Sequence, residues 1–145
     1  MTQKFETKYP AVLKLRIDWS ELDLFGHVNN VMFMKYIQAA RLNYWEQVGI
    51  YEYFLKTRIG PMLADVHCSF RKPLHYPGEI MIRSGMRFIG TTSFSFSHRI
   101  YDPAGELAAE AEDVMVMFDF NKDEKVAFPE EFRRKVEELE HGALD

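Results

Sequence analysis

The chain has a single cysteine, Cys68, so no disulfide can close within it, and a reducing, cytoplasmic setting is the expectation. No apolar run approaches the roughly 18 residues of a membrane-spanning helix, and no charged-then-apolar leader opens the chain, which sets aside membrane insertion and secretion. Positive charge is not in excess: 18 Lys and Arg face 22 Asp and Glu, for a net charge of −4. Such a surface offers nucleic acid or an anionic membrane no general attraction, so an anionic ligand would have to be held locally. Metal-ligand spacing is missing too. His67 and Cys68 are neighbours that would point to opposite faces of a strand, and no CxxC or HxxH accompanies them, so no metal is expected. Cys68 then reads as a small buried hydrophobe.

What is present is apolar and periodic. At 47% hydrophobic and 14% aromatic, 145 residues match one compact domain that buries about two thirds of its unfolded surface. Leu13, Leu15 and Ile17 alternate with Lys14, Arg16 and Asp18, the period of a half-buried strand. From Asn29 to Val48 the period changes: Phe33, Ile37, Ala40, Tyr44 and Val48 recur at three and four, predicting one long helix ended by Gly49. Val31, Met34, Leu42 and Trp45 lie off that stripe, so the helix is expected to be surrounded by protein.

A short helix or irregular segment at 50–61 comes next, and then four strands are predicted within 62–73, 79–90, 92–102 and 105–120, separated by turn signals. In the third strand Phe94, Phe96, His98 and Ile100 alternate with Ser95, Ser97, Arg99 and Tyr101. An amphipathic helix at about 129–141, entered through Pro129, closes the chain. The order strand, apolar helix, then consecutive antiparallel strands predicts an α+β fold in one domain spanning 1–145, its core at about 11–120. A curved antiparallel sheet wraps one central helix.

The polar chemistry crowds just ahead of that helix, where Asp23, Gly26, His27, Asn29 and Asn30 fall within eight residues. Asn29 or Asn30 can cap the helix, and Asp23 can hold a turn. The same set can also do chemistry. An ionised Asp can attack a carbonyl or activate water, and amides at a helix N-terminus have no intrahelical acceptor and sit at the positive end of the dipole.

The motif "ELDLFGHVNNVMFMKYIQAAR", with its Asp23, Gly26, His27, Val28, Asn29, Asn30, Tyr36 and Arg41, resembles the acidic loop and helix start of hotdog-fold proteins of the 4-hydroxybenzoyl-CoA thioesterase group. The resemblance covers roughly Leu13 to Phe120 and extends to the later "FRKPLHYPGEIMIRSGMRFIGTTSFSFSHRIYD". It implies an acyl-CoA thioesterase that needs no cofactor, with Asp23 as nucleophile or general base and the backbone amide of Asn30 as oxyanion donor. Gly26 would supply a positive φ in the loop. Asn29 stands between cap and substrate contact. Plant acyl-carrier-protein thioesterases look similar in placing an Asp, Asn, His set before "VNN", but Phe25 occupies the place of their Asn here. His27 therefore divides between base, carbonyl ligand and loop organiser.

Glu21 resembles a second acid of the family loop and reads as a structural hydrogen-bonder. Where one type of 4-hydroxybenzoyl-CoA enzyme has a basic run, this chain has Gly90, Thr91, Thr92 and Ser93, whose amides and hydroxyls could bind the pantetheine or phosphate ends. Arg71, Lys72, Arg83, Arg87 and Arg99 are candidate phosphate ligands or simply a solvated face.

The rival readings are an acyl-acyl-carrier-protein thioesterase, a dehydratase of the same fold, whose "GHFPG"-like helix start is missing, and a non-enzymatic acyl-CoA-binding module, which would have no use for Asp23. A sheet curled over one helix leaves an edge strand exposed, so at least a homodimer is expected. The 93–101 strand and its neighbours would supply that edge. By resemblance the dimer joins its sheets edge to edge, shares each site between protomers and often forms a homotetramer.

Overall fold

The computed structural model describes residues 2–142. The strands are β1 (Gln3–Lys4), β2 (Ala11–Arg16), β3 (Ile59–Phe70), β4 (Glu79–Ile89), β5 (Ser93–Tyr101), β6 (Leu107–Asp119) and β7 (Glu124–Lys125). The helices are α1 (Asn30–Val48), α2 (Ile50–Thr57) and α3 (Glu130–Gly142), and a 3-10 turn covers Trp19–Glu21. The sheet is antiparallel throughout and runs β1–β4–β5–β6–β3, with β2 on the same edge of β4 as β1 and β7 on β6.

Helix α1 forms as its sequence predicts. The Asn29 side chain accepts a hydrogen bond from the Val31 amide at 3.0 Å, satisfying one of the orphan donors of the first turn, and Gly49 ends the helix in the left-handed region at φ 79°. Phe33, Ile37, Ala40, Tyr44 and Val48 are buried against the inner face of the sheet. On that face Ile80 and Ile82 of β4 cluster with Ile100 of β5, and Met86 and Ile89 of β4 cluster with Phe94 and Phe96 of β5. Removing each large side chain of this stripe from water stabilises the fold by roughly 1.5–3 kcal/mol.

Two expectations are corrected. The flanks of α1 are not covered within one chain: Val31 is 60% and Leu42 43% exposed, because the sheet curves around only one side of the helix. The 93–101 strand is not an edge either. It is β5, paired on both sides, and the edges are β3, twelve residues long, and on the far side the shorter β1 and β2.

Two buried polar clusters tie the layers together. Arg41 of α1 donates to Asp113 of β6 at 2.8 Å, and Asp113 also receives His98 Nε2 at 2.8 Å, while His98 Nδ1 meets Ser84 Oγ at 2.6 Å. Burial alone would raise the Asp113 carboxyl, but the hydrogen bonds of His98 and Arg41 and the Arg41 charge hold it below the ordinary carboxylate range. The second cluster repairs a break in the sheet edge. β1 pairs with β4 at Phe88 and Ile89 and β2 pairs from Ser84 down, leaving the Met86 amide between them, where the Glu140 carboxylate of α3 accepts it.

Candidate active site

The loop between the 3-10 turn and α1 is built from its own side chains. Asp23 Oδ1 accepts the amides of Phe25 at 2.9 Å and His27 at 3.2 Å, and the Asp23 amide donates to the His27 carbonyl at 2.7 Å, closing a tight turn. Gly26 sits at its tip with φ 82°, a conformation that a side chain would strain. Among the described residues no donor reaches Asp23 Oδ2, so one carboxylate oxygen remains for external chemistry.

Glu21 anchors the turn from behind. It is buried, accepts Tyr36 Oη and the Asp18 amide at 2.8 Å each, and pairs with Lys35 at 3.2 Å. Desolvation pushes its carboxyl up, yet those hydrogen bonds more than compensate and leave it below its ordinary value. It is the structural hydrogen-bonder the sequence suggested. The Glu21 carbonyl then takes the Asn29 amide at 2.9 Å, fixing the start of α1 to the acidic turn.

A groove of about 420 Å³ opens beside this assembly. Asp23, His27 and Asn30 line it together with Phe33 and Phe70, and Arg71 and Lys72 stand at its side. Asn30 is the first residue of α1, and its amide donates to no protein acceptor among the described residues. Three of the sequence candidates thus converge, and two cations join them. Arg71 pairs with Glu110 at 3.0 Å, and Lys72 is held by Asp102 and Glu106.

The other candidates lie elsewhere. The Asn29 side chain is occupied as the helix cap and does not line the groove. Gly90, Thr91, Thr92 and Ser93 form the β4–β5 turn, at the far end of β4 from the segment that pairs with His27, and no residue of that turn lines the groove in the same chain. The Gly90 and Thr91 carbonyls hold the C-terminal segment, accepting Arg133 and Phe128, and the Thr92 carbonyl accepts the Met117 amide of β6. Arg83, Arg87 and Arg99 alternate onto the outer face of the sheet, where Arg87 pairs with Glu112 at 2.7 Å.

Sequence reasoning missed His75. It bridges His27 through the backbone and packs its ring edge-to-face on the His27 ring, with centroids 4.7 Å apart. The signal was slight, a histidine in the "LHYPG" turn signal far from the motif in sequence.

Residues 17–136 match the thioesterase-like superfamily. The chain belongs to that family. By family it is a thioester hydrolase of the hotdog fold. It is 22% identical to the long-chain acyl-CoA thioesterase FadM of Escherichia coli over 127 residues, 87% of this chain and 96% of that protein. It is 29% identical to the chloroplastic acyl-acyl carrier protein thioesterase ATL3 of Arabidopsis thaliana over 126 residues, 85% of this chain and 65% of that one. Its fold matches a Thermus thermophilus thioesterase solved with coenzyme A and zinc, at TM-score 0.81, 23% identity, 91% of this chain and 95% of that one. No helix among the described residues is long and apolar enough to cross a membrane.

Proposed function

We propose that the chain hydrolyses acyl-CoA thioesters to a free carboxylate and CoA at the groove beside Asp23. The observation that carries this is the convergence of Asp23, His27 and the α1 N-terminus on one open groove in a fold of the thioesterase-like superfamily. The thioester carbonyl lies against the Asn30 amide, where an orphan N–H and the dipole of a 19-residue helix stabilise the oxyanion as it forms. Asp23 then acts in one of two ways. Its carboxylate attacks the carbonyl carbon and expels the CoA thiolate, leaving an anhydride that water opens, or it takes a proton from water as that water attacks. In both routes one water is consumed and the thiol carries a proton away. His27, braced by His75, lies at the groove as a carbonyl ligand or loop organiser.

Gly26 and Asn29 serve this reading by shaping the loop and capping the helix, and Arg71 and Lys72 offer the nearest positive charge for an anionic carrier. The Gly90–Ser93 turn is left to a partner's substrate.

The working unit in this proposal is a homodimer. Residues 62–65, the middle of β3, are all exposed in a strand with one side unpaired. A strand pairing with its own copy does so antiparallel about its centre, under a dyad perpendicular to the sheet, which leaves both α1 helices on one side with Val31 and Leu42 between them.

Thiol release measured over acyl-CoA and acyl-carrier-protein thioesters tests the reading directly. Asp23→Asn keeps the Oδ1 acceptor for Phe25 and His27, so the fold should persist while kcat falls at least about 100-fold. A folded variant turning over at the wild-type rate removes Asp23 from the mechanism. Faster release from the carrier-protein thioester would name that carrier instead. Light scattering that finds the active species at the 17.1 kDa of one chain defeats the dimer.

A further inference from the structure

Two cations line the Asp23 groove, and carboxylates already hold both. Lys72 Nζ meets Asp102 Oδ2 at 3.2 Å and also the Glu106 carboxylate, while Arg71 donates to Glu110 at 3.0 Å. The backbone places those acids. Asp102 Oδ1 accepts the amides of Ala104 at 3.0 Å and Glu106 at 2.8 Å, the Asp102 amide donates to the Glu106 carbonyl at 2.8 Å, and Gly105 turns the chain at φ 84°. The turn between β5 and β6 is thus closed on itself. The amides of Arg71 and Lys72 both donate to the Ala108 carbonyl, at 2.7 Å and 3.1 Å, which fixes the end of β3 beside that turn.

The charge on this side of the groove is negative in sum. Asp23, Asp102, Glu106 and Glu110 are four carboxylates against two cations, and counting Arg99, whose Nε lies 3.9 Å from Glu110, still leaves one negative charge in excess. Lys35 does not change the balance, because the buried Glu21 pairs with it at 3.2 Å. Exposed pairs of this kind are weak and can exchange partners, but the excess is the same in every rotamer.

CoA carries a diphosphate and a terminal phosphate, and the terminal one alone has a charge of about −1.5 to −2 at pH 7. A cleft that attracts such a carrier does so through an excess of unlike charge at its walls. This groove presents the like charge. The pantetheine arm between nucleotide and thioester is uncharged and meets no such opposition.

We infer that Asp102, Glu106 and Glu110 are specificity-determining residues: they mask Arg71 and Lys72, so the groove selects thioesters by the uncharged pantetheine arm and gains nothing from the nucleotide phosphates. The inference rests on the thioesterase reading above and narrows its substrate class to pantetheine thioesters, with a charged carrier tolerated and not recognised. A unit charge at about 4 Å changes an equilibrium about fivefold in water, and salt diminishes the effect. Neutralising the masking acids should therefore favour the phosphorylated carrier selectively.

The test compares an acyl-CoA with the matching S-acyl-pantetheine, which ends in a hydroxyl, on the full-length protein at low and at physiological salt. In wild type the ratio of their kcat/KM values, CoA over pantetheine, should stay below about three at low salt and rise as salt screens the repulsion. Glu106 and Glu110 are 63% and 37% exposed, so Glu106→Gln with Glu110→Gln removes two charges without disturbing the core, and Asp102 stays in place to build the turn. At low salt this double variant should raise the ratio at least about fivefold, through a lower KM for the acyl-CoA. A wild-type ratio above three, a ratio that is flat or falls with added salt, or a rise below about threefold in the double variant each overturns the inference. Release of thiol from neither substrate by wild type would instead overturn the thioesterase reading. Calorimetric titration with CoA alone then reads the charge effect without turnover: its Kd should tighten at least about threefold in the double variant at low salt, and a smaller change sinks the inference whatever the chemistry.

Discussion

Replacing Glu140 separates two contributions that its position combines. The side chain is buried, and its carboxylate accepts the Met86 amide and, at 2.9 Å and 3.1 Å, the hydroxyls of Tyr44 and Thr7. Thr7 gets that close because Gly85 has no Cβ, which would collide with the Thr7 hydroxyl. Glu140→Ala leaves two buried donors, Met86 N–H and Tyr44 O–H, without an acceptor, at about 1–3 kcal/mol each. At about 4 °C per kcal/mol for a chain of this size, Tm should fall by about 8 °C or more.

Glu140→Gln keeps an acceptor for Met86 and Tyr44 and presents a donor to Thr7, so its cost at neutral pH should stay within about 1 kcal/mol. The two forms should also differ with pH. Burial raises the Glu140 carboxyl above its ordinary 4.5, and the hydrogen bonds from Met86, Tyr44 and Thr7 only partly reverse this. A carboxyl raised in the folded state contributes stability below its unfolded value and loses it as pH climbs through the folded one. Wild type should therefore gain on Glu140→Gln as pH drops from neutrality toward 4.5. Thermal and urea unfolding at fixed protein concentration measure both effects. Equal losses in the Gln and Ala variants, or a wild-type advantage that grows toward alkaline pH, would refute the acceptor argument.

His27→Ala should lower kcat/KM less than Asp23→Asn does on the same acyl-CoA, because its ring lines the groove whereas in the proposed mechanism Asp23 supplies the reacting oxygen; the reverse ranking in a thiol-release assay exchanges their roles. Asp113→Asn should cost about 3–5 kcal/mol in urea unfolding at pH 7, since it strands the Arg41 charge in the interior. Asp113 is depressed in the folded state, so its contribution is present above the ordinary 3.8 and lost as pH falls through the lower folded value, and the gap between wild type and variant should close in acid. Ser84→Ala should retain thiol release within about threefold, as a buried hydroxyl that meets no substrate; a loss as deep as that of Asp23→Asn would make Ser84 the nucleophile.

Local signals carried most of the fold. The three-and-four spacing in α1, its Asn29 and Gly49 ends, and the alternation of β5 are contacts between near neighbours, and each appears where the residues predict it. Period two says which face a residue takes but nothing about which strand lies beside it. That is why the 93–101 strand could be read as an edge when it is central, and why β3, with its exposed middle, was not recognised as an edge. Glu140 and His75 were illegible for the same reason. Glu140 acts 54 residues away on Met86, and His75 meets His27 only once the β3–β4 connection folds back. In the candidate groove, Asp23, His27 and Asn30 could be grouped from sequence because one turn holds them, whereas Arg71 and Lys72 were candidates only as scattered cations and Phe70 was not singled out, since all three arrive from a distant strand end.

Side-chain identity alone would have chosen a different centre. Ser84, His98 and Asp113 stand in hydrogen-bonded series, the residue types of a serine hydrolase. Their setting forbids that use. Ser84 is 1% exposed, so no thioester carbonyl can reach its oxygen. The imidazole presents Nδ1 to the serine and Nε2 to the aspartate, the reverse of the arrangement that takes a proton from an attacking hydroxyl. Asp113 is already paired with Arg41, which spends its charge on holding α1 to the sheet. The same enclosure that makes this series strong also closes it to substrate. Asp23 has the opposite circumstances: a turn around Gly26 lifts it to the surface of a groove, its backbone bonds use one oxygen, and the helix behind it supplies the unsatisfied amide. For a small domain with one core, a hydrolytic centre has to form where the packing ends, and the N-terminus of the central helix is where the chain leaves both a charge and a donor facing out.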